Sequence, residues 1–257
     1  NIEVTNLTLV NGEEKPQDEG GSFVLVYVFA LVLIFSLFTT SGYLMQSVIE
    51  EKETRLIEIL ISTVRPSQLL AGKILAMGIV GMVQVIVWMA GIFVLVQLAS
   101  SGGAGQIAGA LATIANIQIP VNILPVLLLY FVLAYFMFAG LFSIVGALSN
   151  SLREGPQYAV LFTLPAALPM YFISLIASTP EGPIPTVLSI FPLTAPIAMA
   201  ARLSISIVPF WQLALSLGLL ALAALGAIWL AGRAFRVQTL LAGQLPKLRD
   251  IPRLLRG

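Results

Sequence analysis

Residues 23–48 read FVLVYVFALVLIFSLFTTSGYLMQSV, and residues 49–58, which follow, read IEEKETRLIE. The first string carries no charged residue, whereas the second carries six in ten positions. About 20 apolar residues in a helix span a hydrocarbon core of roughly 30 Å, so residues 23–48 are long enough to cross a bilayer. Their first two-thirds favour insertion by about −5 kcal/mol on a translocon scale. The abrupt return of charge at Glu50 marks where the chain leaves the hydrocarbon.

The same contrast organises the whole chain. Its 257 residues are 58% hydrophobic and 10% charged, with a mean hydropathy of +0.99. A soluble domain carries roughly a quarter charged residues; here the charges are gathered between charge-free stretches at 20–49, 74–152, 155–180 and 203–232. This is the pattern of an all-α polytopic membrane protein. Five transmembrane helices are expected, at about 23–48, 75–98, 123–148, 158–177 and 211–231. Pro165 and Pro169 predict a kink near the middle of the fourth. The uncharged segment 99–122 is expected at the interface or as short helical pieces.

Residues 184–208 are long and apolar enough to cross but contain Pro185, Pro192 and Pro196 and run into Pro209. Each interior proline costs a helix about 3 kcal/mol, which disfavours a straight crossing. Parity gives an independent reason. If the segment dips in and returns as a re-entrant helical hairpin, eleven of the thirteen basic residues fall on one side. The positive-inside rule makes that side cytoplasmic. The expected topology thus places residue 1 on the extracytoplasmic side of the cell membrane, the hairpin on the outer face, and the basic tail 233–257 in the cytoplasm. Residues 1–22 are acidic and are expected to be a linker or the end of an extracytoplasmic domain. A short strand and a turn are expected there from Ile2, Val4, Leu7, Leu9 and Val10, followed by Asn11-Gly12. An odd count beginning outside, without a signal peptide, leads to the expectation of an upstream span and an exported domain before Asn1.

Function is bounded by what is missing. With no His and no Cys, the usual zinc sites, a thiol nucleophile, haem attachment and a Ser-His-Asp triad are excluded. No expected span holds an ionisable residue, which disfavours a transporter driven by protons or sodium. Ser36, Ser143 and Thr163 read as hydroxyls that satisfy backbone or bridge helices, not as nucleophiles. Gly72-Lys73 is not the end of a phosphate-binding loop, because that motif needs Gly where Ser67 stands and Ser or Thr where Ile74 stands. No ATP site is legible. Gln84, Gln97 and Asn122 are candidates to line a pathway, with helix-to-helix hydrogen bonding as the plainer alternative. Small residues at four-residue spacing, Ala139-Ser143-Ala147 and Ala223-Ala227-Ala231, offer faces for close helix contact, within the chain or between two chains.

The most informative segment is 48–73. Ile49, Leu56, Ile57 and Leu60 share one helical face, and Glu51 with Arg55 is a favourable i,i+4 pair. A short amphipathic helix over 50–61, at the membrane surface and ended by Arg65-Pro66, is therefore expected. Such a helix either rests on the interface or docks its polar face on a soluble partner.

Glu51-Lys52-Glu53, then Glu58-Ile59-Leu60, then Pro66 with Gly72-Lys73, resembles the signature of type-2, export-type ABC transporter permeases, in particular the branch of the NatB sodium-extrusion permease and the ABCA-like exporters. Phe191-Pro192-Leu193-Thr194-Ala195-Pro196 with Arg202 resembles that family's outer re-entrant element. Phe235-Arg236-Val237 through Leu240-Leu241-Ala242-Gly243 resembles its tail after the last span. Ile61 to Arg65 departs from it, since a more apolar or proline-bearing turn is common there. The resemblance implies an export permease subunit without enzymatic activity of its own. It implies a second permease chain as partner and a separate ABC ATPase subunit holding ATP and magnesium. It also implies that 50–61 is a coupling helix seated in that ATPase, with Glu50, Glu51, Glu53, Arg55, Glu58, Gly72 and Lys73 as the coupling residues. The competing class is a membrane scaffold or sensor whose spans only pack. A charged surface helix, a proline-broken outer hairpin and a kinked span together suit a machine that moves between states better than a scaffold.

Overall fold

A computed structural model describes residues 7–10, 13–16, 21–54, 66–100 and 124–240. Near the N-terminus, β1 (Leu7–Val10) and β2 (Glu13–Pro16) pair antiparallel, with Leu7 opposite Pro16 and Val10 opposite Glu13. Asn11-Gly12 separates them, the residue pair that favours a two-residue hairpin. The rest of the described chain is helical: α1 (Gly21–Glu53), α2 (Pro66–Ser100), α3 (Leu124–Leu148), α4 (Glu154–Tyr171), α5 (Ile173–Ser178), α6 (Pro183–Ile190), α7 (Ala195–Ile205) and α8 (Phe210–Leu240).

Among the described residues four helical stretches are long and apolar enough to cross a membrane: Ala30–Glu53, Gln68–Trp88, Pro125–Leu148 and Phe210–Arg236. The other expected crossing, 158–177, is not one continuous helix. Its ladder runs through Pro165 and Pro169 and breaks at Phe172, at the C-terminal side of the prolines and not mid-span. Each proline lacks the N–H that would bond four residues back, so the last turn of α4 is under-bonded. Phe172 N still reaches Leu168 O at 3.3 Å before the chain leaves helical geometry.

Two boundaries differ from expectation in an instructive way. α1 does not stop at residue 48 but continues through Glu53, because Glu and Lys are good helix formers in water as well as at an interface. At 33 residues it is about 50 Å long, well beyond the hydrocarbon thickness. Thr54 closes it, its N–H and its hydroxyl both donating to Glu50 O, at 3.0 and 2.7 Å. α2 begins at Pro66, nine residues before the expected span, since proline is suited to a first helical position. Residues 50–53 are therefore the last turn of α1 and not the start of a separate helix. The remainder of the expected coupling helix lies outside the described residues.

α3 is the centre of the bundle. On one side it meets α8 so closely that a Cβ on Gly140 would lie 2.7 Å from the Ala227 carbonyl carbon and 2.9 Å from the Ile228 nitrogen. On the other it meets α1, where a Cβ on Gly146 would lie 3.0 Å from Met45 O. Of the small-residue faces read from the sequence, Ala227 lies in the first of these contacts, Ala139, Ser143, Ala147 and Ala231 are buried within the chain, and Ala223 is half-buried. Around them pack Leu37, Leu44, Tyr130, Phe138, Leu220 and Phe235, with Phe38 edge-on to Phe138 at 5.4 Å. Ser36 and Ser143 are buried without a hydrogen-bond partner among the described residues, so the bridging expected of them is not seen. The hydroxyl that does bond there is that of Thr40, which donates to Ser36 O at 2.6 Å.

Candidate functional site

The charged residues of the E-K-E tripeptide sit on one turn of α1, where successive side chains fan out by about 100° each. Each therefore reaches a different neighbour. Glu51 Oε2 lies 2.6 Å from Lys73 Nζ on α2, with side chains only 19% and 14% exposed respectively. Lys73 also donates to Ser47 Oγ at 2.7 Å and Ser47 O at 3.2 Å, one turn back on α1. Lys52 turns toward the end of α3 and donates to Ala147 O at 3.3 Å and Ser149 O at 2.9 Å. Those are carbonyls that a helix end leaves without partners, at the negative pole of its dipole. Glu53, exposed, accepts from Leu152 N at 3.2 Å in the connection between α3 and α4. There Asn150 N donates to Glu154 Oε2 at 2.9 Å, placing a carboxylate at the start of α4. One helical turn thus ties the ends of α1, α2, α3 and α4 together.

This gives most of the sequence candidates a place. Glu51 and Lys73, 22 positions apart, are brought into contact; the expected i,i+4 pairing of Glu51 with Arg55 falls outside the described residues. Arg55 and Glu58 lie outside the described residues. Glu50 is exposed. Gly72 is exposed with nothing within 4 Å of a would-be Cβ, so no close approach requires glycine there. Gln84 is half-buried and Gln97 exposed on α2; thirteen residues apart, they stand about 20 Å apart and roughly 140° around the helix. They do not share a face. Asn122 lies outside the described residues.

Sequence reasoning missed Lys52, Ser47, Tyr135 and Gly78. Tyr135 on α3 donates to Ile74 O on α2 at 2.6 Å. Gly78 makes room for it, since a Cβ there would come within 2.9 Å of the ring. Lys52 could have been found by asking what neutralises a helix C-terminus at 148. The Tyr135 contact has no local signal.

A second polar cluster occupies the opposite end of the bundle, where α3 and α8 begin. Residues 184–208 form a pair of short helices, α6 and α7, joined at Phe191–Thr194, with Thr194 Oγ1 donating to Leu188 O at 2.6 Å. Phe191 is exposed, Pro192 half-buried and Pro196 buried. Arg202 is 1% exposed. Its guanidinium donates to Ser189 Oγ at 2.6 Å on α6 and to Gln212 Oε1 at 2.9 Å on α8. Ser216 Oγ donates to Ser189 O at 2.6 Å. These hydrogen bonds from Arg202 to neutral groups sew the helix pair to α8.

An apolar groove of about 770 Å³ runs between the end of α3 and α4, past Ile144, Leu148, Leu161 and Pro165. Among the described residues no group of His, Cys, Asp or Glu is placed to hold a metal ion.

No solved structure is similar to this chain. Among curated proteins, the uncharacterized protein YhaP of Bacillus subtilis (strain 168) is 24% identical over 255 residues, covering 99% of this chain and 60% of its own length. The uncharacterized protein MJ1024 of Methanocaldococcus jannaschii is 24% identical over 229 residues, covering 88% of this chain and 52% of its own. The chain thus spans little more than half the length of these relatives. The sequence pattern of the ABC-2 family transporter proteins matches residues 1–233, so nearly all of the described helices fall within it, and the chain belongs to that family.

Proposed function

We propose that this chain is the membrane-spanning part of an ATP-driven export permease, powered by a separate ABC ATPase subunit that holds ATP and magnesium. Membership of the ABC-2 family carries the reading. The charged end of α1 and the start of α2 support it, because Glu51 and Lys73, on either side of the expected coupling segment, hold these two helices together. In this reading α4 and α5 together make a fifth crossing despite the break at Phe172, and α6–α7 is a re-entrant hairpin on the outer face. Residue 1 is extracytoplasmic, and the basic tail is cytoplasmic. Two permease chains and two ATPase subunits form the working unit in the cell membrane. ATP binding draws the ATPases together, the coupling segment from Glu50 to Ile61 is levered, and the spans expel the cargo outward. The apolar groove beside α3 favours a hydrophobic or lipid-like cargo.

The test is to purify the full-length permease in nanodiscs and ask whether an ABC ATPase co-purifies and whether its ATP hydrolysis changes with the permease present. Charge reversal at Glu50 and Glu58 is expected to abolish both effects. An intact permease with no ATPase partner would sink the proposal and bring the scaffold reading forward.

A further inference from the structure

The cluster around Arg202 leaves two buried hydrogen-bond donors without an acceptor. A guanidinium presents several N–H donors and no acceptor of its own. The two terminal nitrogens of Arg202 reach Ser189 Oγ and Gln212 Oε1, but its Nε, closed off from solvent, meets no acceptor among the described residues. The hydroxyl of Tyr130 on α3 lies within electrostatic reach of Arg202 and beside Ser216. It too is closed off and meets no partner in hydrogen-bond geometry among the described residues, and the Ser216 hydroxyl is turned to Ser189 O. Arg202 and Tyr130 are each 1% exposed. A buried polar group left unmatched is costly, more so when it is charged.

The charge is the larger cost. Ser189 and Gln212 are neutral, so they satisfy hydrogens of the guanidinium without cancelling its charge. Glu181, on the connection between α5 and α6, exerts a favourable field on Arg202, but it is exposed and its field is screened by solvent. A water molecule would accept both orphan hydrogens and leave the charge uncompensated; an anion accepts them and compensates it. Charge balance sets that anion as monovalent. Sulfate or phosphate would leave a negative excess in a site closed to water, and the cost of stripping an ion of its hydration rises steeply with its charge.

We propose that Arg202 and Tyr130 form a binding site for a small monovalent anion, chloride in kind, between α7 and α3 at the end of the bundle opposite Glu51-Lys52-Glu53. Nε and the phenol hydroxyl donate to the ion, while Ser189 and Gln212 hold the guanidinium in place. The ion ties α7 to α3, a link that the hydrogen bonds of Arg202 to α6 and α8 do not supply. The site is a property of the chain alone and stands apart from the permease reading.

The full-length protein in neutral detergent is unfolded at equilibrium while sodium gluconate is replaced by sodium chloride at constant ionic strength, with loss of helicity as the readout. About 100 mM chloride is expected to raise the folded-to-unfolded ratio about ten-fold, the linkage given by a dissociation constant of about 10 mM. Bromide is expected to act like chloride, and sulfate is not. Tyr130→Phe keeps the ring and removes one donor, and is expected to lose most of the chloride response. Arg202→Lys keeps the charge without the Nε donor and is read in the same way should Tyr130→Phe fail to fold. Equal stability in chloride and gluconate would overturn the proposal, because water then serves these donors. A chloride response of full size in both variants would overturn it too, because the ion then acts elsewhere.

Discussion

Gly140→Ala tests the central helix contact most sharply. The added methyl would meet the Ala227 carbonyl carbon at 2.7 Å, the Ala227 Cβ at 2.8 Å and the Ile228 nitrogen at 2.9 Å. Two of these are backbone atoms, which no rotamer change can move aside. Ordinary contact needs about 3.5–4.0 Å, so α3 and α8 must part by roughly 1 Å. A gap of that size forfeits a quarter to a half of the dispersion energy of each pair it opens, along an interface that buries Phe138, Ala139, Leu220, Ala224 and Ala231. Overpacking of this kind costs about 1–3 kcal/mol, and relief by rotamer is unavailable, which places this site near the top. Replacing a helical glycine by alanine returns up to about 1 kcal/mol, leaving a net loss of about 2 kcal/mol. Gly218→Ala on α8 is the control, because nothing lies within 4 Å of its Cβ position; it is expected to be neutral or to stabilise by up to about 1 kcal/mol. The two variants should therefore differ by about 3 kcal/mol, or two powers of ten in the folded-to-unfolded ratio. Equilibrium unfolding in mixed micelles, titrated with SDS and followed by tryptophan fluorescence, measures the difference directly. Equal midpoints for the two variants would show that α3 and α8 do not approach at Gly140.

Tyr135→Phe removes the hydroxyl that donates to Ile74 O and should cost about 1 kcal/mol in the same titration, with faster amide exchange confined to the facing part of α2; no change in either would remove this bond from the account. Arg202→Leu strips the guanidinium that joins Ser189 to Gln212 and should cost about 2–3 kcal/mol, since bonds made by a charged group are stronger and partners are left unsatisfied. Limited proteolysis is then expected to cut at 179–183 or 206–209, whereas a resistant variant would mean the helix pair is held by its apolar face alone. Gly72→Ala should be silent or slightly stabilising, because that position is exposed and uncrowded; a loss of expression or folding would show a close contact that the structure does not contain.

How much of this was legible beforehand depends on the range over which the physics acts. Helical character came directly from apolar runs without charge, and the break of 184–208 into two short helices from the prolines that punctuate it. A short strand and a turn were legible before Asn11-Gly12, but the pairing of that strand with Glu13–Pro16 was not. The small-residue faces on α3 and α8 were visible as spacing, but their partner was not. Only assembly shows that Ala227 meets Gly140 of the same chain. The end of α1 is not legible from hydrophobicity, which falls away at Glu50 while the helix runs on to Glu53. Helix propensity is indifferent to that boundary, and Glu50 to Glu53 continue the ladder to Thr54.

Composition and charge pattern alone therefore determine that this is a helical membrane protein, and the segment around Glu51-Lys52-Glu53 already singles out its charged end. Those properties follow from transfer free energies and local backbone preferences, which each residue carries wherever it sits. The partners of the charges are another matter. Glu51 is placed against Lys73, 22 residues on in α2, and Lys52 against the carbonyls that end α3, and neither partner has a local signal in the sequence. Charges at the rim of a bundle reach whichever opposite pole the packing of helices brings near, and that packing is set by Gly140, Gly146 and the residues around them, far from the charges it arranges.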